Sequence, residues 1–312
     1  MKVYNHISEF PKDQETCVTI GTFDGVHTGH RKILNRLIDS AKKNHYQATL
    51  LTFFPHPRMV LQQNTDLKLI NTMKEKKIIL AETGLDNLIV HPFSKEFSRL
   101  TAQQYVKDVL VDQLNTKQVI IGYDHRFGRN RTADINDLKK YGQQYDFLVD
   151  KISKQEIDDV AISSTKIRKS LASGDIQKAN QYLKKPFFMT GIVIRGYGRG
   201  KDFGFPTANL AIQEDYKLIP SNGVYVSSSM INDQKYYGLT NIGTNPTVNG
   251  TKRSIETYFI DFDGDLYNQE LSVSLLHKLR DEKKFDNVEA LKKAMQEDKK
   301  QALSFIRKNE KN

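Results

Sequence analysis

Two imidazoles three residues apart, His27 and His30, carry the most distinctive chemistry in this chain. They close the segment Gly21-Thr22-Phe23-Asp24-Gly25-Val26-His27-Thr28-Gly29-His30, which follows the β-type run Thr16-Cys17-Val18-Thr19-Ile20. The residues after it are amphipathic, with Ile33, Leu34, Leu37, Ile38 and Ala41 on one helical face. Strand, glycine-rich turn and helix start therefore coincide with His-x-Gly-His. A helix start offers unpaired backbone N–H groups and the positive end of the helix dipole, which together attract phosphate. Two histidines placed there add donors that can follow charge developing on a nucleotide phosphorus. Gly21, Phe23 and Gly29 of the same turn are the candidate phosphate-side neighbours. The plain alternative, a tight turn with two solvated histidines, leaves that coincidence unexplained.

A second cluster, Ser163-Ser164-Thr165-Lys166-Ile167-Arg168, precedes the helical run Lys169 to Ala172. An ordinary N-cap accounts for one serine. It does not account for two hydroxyls, Lys166 and Arg168 at one helix start, which is also how a triphosphate is held. Ser164, Thr165 and Arg168 are the candidates, and a nucleotidyl transfer needs such a second site for its departing pyrophosphate.

A third cluster runs from Gly196 to Leu210 and ends in Pro206-Thr207-Ala208-Asn209. It is no Walker A loop, because Gly200-Lys201 is followed by Asp202. It is no dinucleotide fingerprint either, since Pro206 and the aromatics forbid the helix that should follow. Gly198, Gly200 and Lys201 would let backbone amides and an ammonium close over phosphates, and Thr207 and Asn209 offer hard oxygen ligands for Mg²⁺. Further on, Asp261, Asp263 and Asp265 lack the glycine and glutamate spacing of a calcium loop and read as an acidic turn. Glu270, opening the next strand, is the better candidate for a proton acceptor.

These clusters need elements to position them. With 312 residues the chain is long enough for two domains, each with its own core. Apolar content of 38% and charged content of 27% exclude the disordered and membrane-spanning classes. The net charge of +10 comes from lysines and arginines interspersed with acids, without an aromatic-interleaved basic stripe. It suits polyphosphate substrates rather than nucleic acid or a membrane surface. Met1 to His6 begins no signal peptide, and the single Cys17 cannot form an intrachain disulfide, so a cytoplasmic location is expected. Oligomeric state is not fixed by the sequence, and a homo-oligomer stays open.

In the first half, Gln47 to Phe54, Asn87 to His91, Lys117 to Gly122 and Asp146 to Asp150 read as buried strands. Helical periodicity appears at Met73 to Thr83, Thr101 to Leu114 and Ile135 to Gly142. That alternation predicts an α/β domain with a parallel sheet and ligands beyond the carboxyl ends of its strands. From Pro186 the chain turns to short strand-like runs: Phe187 to Ile194, Gly223 to Ser228, Tyr236 to Leu239, Ile255 to Ile260 and Leu271 to Leu276. An antiparallel barrel or sandwich follows, closed by a helix from about Asn287 to Arg307. The expected domains are 1–184 and 185–312.

The first two clusters, with Gly122-Tyr123-Asp124-His125-Arg126-Phe127-Gly128 between them, resemble the FMN adenylyltransferase module of bacterial bifunctional FAD synthetases. The resemblance covers most of residues 15–183 and includes Thr52-Phe53-Phe54-Pro55-His56-Pro57-Arg58, similar to that family's flavin-side loop. It implies a Rossmann-like nucleotidyltransferase αβα fold. His27 and His30 would stabilise the transition state at the α-phosphorus of ATP, and Ser164, Thr165 and Arg168 would bind the outer phosphates. Phe54, Pro55, Pro57, Asp124, Arg126 and Phe127 would face the flavin. The chain departs from the family at His125, where phenylalanine is usual. The attacking FMN phosphate is already an anion, so positioning and charge stabilisation suffice.

Thr207, Asn209, Asn222-Gly223-Val224-Tyr225, the Asn241 to Thr247 stretch and Leu266 to Glu270 are similar to riboflavin kinase over about 187–307. This resemblance implies a Greek-key β-barrel with a terminal helix. Thr207 and Asn209 would coordinate Mg²⁺ beside ATP, and Glu270 would take the proton of the ribityl hydroxyl. The joint expectation is an enzyme that phosphorylates riboflavin with ATP and then adenylylates the FMN intermediate with ATP to FAD and pyrophosphate. Three other readings compete: an enzyme with a single live half, the other half serving as a scaffold or flavin sensor; a nucleotidyltransferase acting on another phosphate; and a flavin- or RNA-binding protein without turnover.

Overall fold

The computed structural model describes residues 1–62, 65–153, 162–196, 204–247 and 250–310. The chain divides into two compact units, Met1–Ser164 and Thr165–Asn312. The expected division between residues 184 and 185 falls later, so the helices between the two positions lie with the second unit. Among the described residues no helix is long and apolar enough to cross a membrane.

In the first unit the strands are β1 Lys2–Tyr4, β2 Thr16–Ile20, β3 Gln47–Phe54, β4 Asn87–Pro92, β5 Thr116–Gly122 and β6 Leu148–Ile152. The helices are α1 Thr28–Asn44, α2 Pro57–Leu61, α3 Met73–Ala81, α4 Ala102–Gln104 and α5 Ile135–Tyr145. The strands make one sheet in the order β1-β4-β3-β2-β5-β6, and every neighbouring pair is parallel. A parallel sheet covered on both faces demands strands without polar alternation. β2 meets that demand, being buried at all five positions. Helix α1 buries Leu34, Leu37, Ile38 and Ala41 and ends on His45 in the left-handed conformation. Val18, Ile20, Leu51, Phe53, Ile89, Val106, Leu110 and Val119 form the core on one side. Cys17 on β2 is fully buried, and burial pushes its thiol up to about 12.

Three details differ from the sequence expectations. The segment expected as a buried strand from Asp146 is an edge strand beginning at Leu148, which is 67% exposed; Asp146 instead ends α5 in the left-handed conformation. The helical run expected from Thr101 to Leu114 starts as α4 and widens into a π-helix over Tyr105–Val111. β1 was not expected. Chain order reverses between β2 and β5, so the loops after these two strands flank the crevice where ligands of such sheets bind.

The second unit takes up the chain within helix α6 (Ser164–Ser173), continues through α7 (Ile176–Leu183), and builds a barrel from β7 Phe187–Ile194, β8 Ala208–Ala211, β9 Gly223–Ile231, β10 Gln234–Thr247, β11 Gly250–Phe259 and β12 Glu270–Arg280. All neighbours are antiparallel and the barrel closes in the order β10-β11-β8-β7-β12-β9. The terminal helix α8, Val288–Asn309, is fastened by the Arg280 guanidinium, which grips the buried Asp298 carboxylate at 2.8 and 2.9 Å. Its Ala302 and Ile306 pack with Val224, Val226, Leu239 and Ile260. Helix α7 is joined to the barrel through Asn180, which donates to the Leu275 carbonyl at 2.9 Å and accepts from the Phe187 amide at 2.7 Å.

Candidate functional site

The loop after β2 is built from unusual backbone. Phe23, Gly25 and Val26 have φ of 46°, 87° and 40°. A β-branched residue there is strained, by about 1–3 kcal/mol, and persists only where its surroundings hold it. Four ties do so. The Asp24 carboxylate accepts from the amides of Ile70 at 3.0 Å and Asn71 at 3.4 Å. Ser164 Oγ donates to the Asp24 carbonyl at 2.9 Å. The Thr22 carbonyl accepts from Lys76 Nζ at 2.6 Å and from Thr52 Oγ1 at 3.3 Å. Gly21 leaves room at the start of the loop for the Phe23 ring, from which a Cβ would sit 3.0 Å away.

His27 is the N-cap of α1 in extended backbone, and its own side chain makes no capping hydrogen bond. The first intrahelical bond runs from the Arg31 amide to the His27 carbonyl at 2.9 Å, so residues 28–30 present their amides ahead of it. The His27 and His30 rings stack with centroids 3.7 Å apart, and the Phe23 ring lies 4.7 Å from that of His30. Burial lowers His27 to about 4 against the pull of Asp24. Burial also lowers His30, reinforced by His27 and Lys76. Near neutral pH both rings are uncharged, each with one N–H to donate. Such an arrangement is able to favour an anion through its donors and the positive end of the helix dipole.

Of the other first-unit candidates, Gly29 is buried in the first turn of α1. Phe54 ends β3 half-buried, Pro55 is exposed, and Pro57 opens α2, whose cap is the His56 ring accepting from the Arg58 amide at 3.1 Å. Asp124 and Arg126 are exposed on the loop after β5, across the crevice from the histidine loop. Phe127 lies in the core instead, its ring 5.8 Å from Tyr105. His125 stacks at 6.2 Å on Phe127, and burial lowers it to about 4. Ser164 stands at the histidine loop through its bond to Asp24, whereas Thr165, exposed, and Arg168, half-buried, belong to the second unit. Lys76 was not anticipated. Its signal was its place in the Met73 to Thr83 periodicity, on the same stripe as the buried Ile79 and Leu80.

In the barrel, Asn209 of β8 stands opposite Ile194 of β7, and Glu270 of β12 opposite Ile192. Cross-strand partners share a face and so do residues two apart, so Asn209 and Glu270 lie on the same side of the sheet. That side is the outer one, since Val193, Leu210 and Leu271 are buried. Two strand spacings and a two-residue offset separate their Cα atoms by roughly 12 Å. Glu270 is set by the preceding turn: Asp265 accepts from the Tyr267 amide at 2.8 Å, and the Asn268 amide bonds the Val193 carbonyl at 2.9 Å. The acidic turn expected at Asp261 to Asp265 is therefore structural, and among the described residues no cluster of His, Cys, Asp and Glu could hold a metal. Thr207 is half-buried just before β8. Gly196 gives Asn209 its room, for a Cβ there would fall 2.3 Å from the amide nitrogen. Gly198, Gly200 and Lys201 lie outside the described residues.

Comparison with known proteins adds a second line of information. The family described as FAD synthetase matches residues 9–166, and the family described as riboflavin kinase matches residues 183–306. A protein of Buchnera aphidicola subsp. Schizaphis graminum is 36% identical over 303 residues, covering 96% of each chain. One of Listeria monocytogenes is 35% identical over 300 residues, covering 96% of this chain and 95% of the relative. One of Escherichia coli K12 is 34% identical over 304 residues, covering 97% and 96%. All three carry the name bifunctional riboflavin kinase/FMN adenylyltransferase. A crystal structure described as a macrolide-efflux protein of Streptococcus pneumoniae has a TM-score of 0.87 and 30% identity, covering 96% of this chain and 97% of its own.

Proposed function

The chain belongs to the bifunctional riboflavin kinase/FMN adenylyltransferase family, and from that premise we propose which of its residues carry each reaction. The FMN adenylyltransferase is the N-terminal half and the riboflavin kinase the C-terminal half. The observation that carries the assignment is the stacked His27–His30 pair at the start of α1.

In the adenylyl step, an FMN phosphate oxygen attacks the α-phosphorus of ATP and pyrophosphate leaves. His27 and His30 donate to the oxygens on which charge gathers, and the amides at the start of α1 reinforce them. Gly21, Phe23 and Gly29 shape the pocket for the nucleotide. Ser164 contributes its hydroxyl next to the loop; for Thr165 and Arg168 the role on the outer phosphates rests on the resemblance. Phe54, Pro55, Pro57, Asp124 and Arg126 contact the flavin, and Phe127 supports that surface from the core. No general base is needed, because the nucleophile is an anion.

In the kinase step, the riboflavin 5′-hydroxyl attacks the γ-phosphorus of ATP and ADP leaves. An alcohol is a weak nucleophile, and Glu270 accepts its proton. Thr207 and Asn209 fit a Mg²⁺ ion: both present hard oxygens, and Gly196 leaves a cradle that a side chain would fill. When bound, the ion neutralises phosphate charge. Gly198, Gly200 and Lys201 are assigned to the ATP phosphates. Riboflavin, FMN and ATP are the substrates, and the cytoplasm is the compartment in which the chain uses them.

The test is chromatography of products after the protein is incubated with riboflavin, ATP and Mg²⁺. FMN forming first and FAD later is the expected course. FMN alone would overturn the assignment of the first half, and neither product would overturn both.

A further inference from the structure

Lys76 is out of place as a stabilising residue. It is 3% exposed on the inner face of α3, and taking an ammonium out of water costs more than packing a methionine of similar length there. Helix α3 does not need it, because the capping box of Thr72 and Glu75 already secures the helix start. The ammonium reaches across the fold to the histidine loop, donating a 2.6 Å hydrogen bond to the Thr22 carbonyl with the Asp24 carboxylate also facing it. The next residue is Phe23, held at φ 46° with its ring against His30, which in turn stacks on His27. A continuous chain of contacts thus runs from Lys76 Nζ through the Thr22 peptide to both imidazoles.

We propose that Lys76 is a positioning residue for adenylyl transfer, fixing the Thr22–Phe23 peptide and with it the stacked His27–His30 pair. The inference rests on the assignment of the histidines made above. A displacement of about 1 Å at a reacting centre costs on the order of a hundredfold in rate, so one misplaced peptide is enough to matter. The charge of Lys76 has a second effect. The titratable groups facing His30 are His27 and Lys76, while Asp24 faces His27 and Lys76. Removing the cation removes one of the influences that keep His30 unprotonated.

The full chain carrying Lys76→Met is assayed for both reactions, with Lys76→Arg, Thr52→Val and His27→Ala alongside. For Lys76→Met we expect about a hundredfold fall in kcat for FAD formation from FMN, unchanged riboflavin phosphorylation, and an acid limb of the adenylyl pH–rate profile moved to higher pH. Lys76→Arg restores the position of the acid limb but not kcat, because the larger head cannot occupy the same bond. Thr52→Val, which removes the other donor to the Thr22 carbonyl, lowers kcat in the same direction by a smaller factor; it carries the test if Lys76→Met does not fold. Parental kcat and an unmoved acid limb in Lys76→Met, or parental kcat in Thr52→Val where that variant decides, overturn the inference. If His27→Ala also adenylylates normally, the histidine assignment itself has failed, so the two failures are distinguishable.

Discussion

At the scale of single residues, the two reactions differ in what they ask of a side chain. Adenylyl transfer asks for fixed donors, kinase chemistry for a proton acceptor, and Glu270 is the residue on which that difference can be measured. Glu270→Gln keeps the shape and removes the basicity. Riboflavin phosphorylation should fall by roughly 10²–10⁴-fold with FMN adenylylation untouched. A near-normal kinase rate in that variant would remove Glu270 as the base. His27, His30, Thr207 and Asn209 could be singled out as candidates in the sequence because each belongs to a short contiguous motif. Lys76 was not, because its partner Thr22 is 54 positions away and a lysine within a helix ordinarily lies in solvent. Phe127 shows the opposite limit: its motif marked it for the flavin, yet an aromatic beside Tyr105 lowers free energy most by entering the core.

At the scale of elements, strands with long apolar runs were read well and short ones poorly. β3 was bounded correctly as Gln47–Phe54, since eight mostly apolar residues leave little choice. β1 has three residues and β8 four, too few for a period, and both exist through their neighbours. The helices before the barrel are a similar case. Composition put the domain boundary between residues 184 and 185, but α7 buries Ile176, Ala179 and Leu183 and bonds the barrel through Asn180. A fragment 165–312 and a fragment 184–312 should both phosphorylate riboflavin. Urea unfolding should show the shorter one less stable by about 4 kcal/mol, from lost apolar burial and two hydrogen bonds. Equal midpoints would return the boundary to residue 184.

At the scale of the whole molecule, the two units differ in how they meet acid. The first holds His27, His91 and His125 at about 4, and His30 is lowered as well, in each case chiefly by burial. Unfolded, these groups titrate near 6.5, so between pH 6.5 and pH 4 the unfolded unit binds more protons than the folded one. Stability of the first unit is therefore full above pH 6.5 and lost progressively down to pH 4, whereas the second unit has a single histidine, His277, lowered by burial. Urea midpoints at pH 7.5, 6 and 5 should fall for the first unit and hardly move for fragment 165–312; parallel declines would contradict this. The same burial gives the molecule an internal clock. Its one thiol, on the strand that leads into the histidine loop, is closed to a disulfide-exchange reagent until the sheet separates. The rate at which Cys17 is labelled in native buffer is thus the rate, or the equilibrium, of opening of the catalytic strand itself, read without adding any probe to the chain.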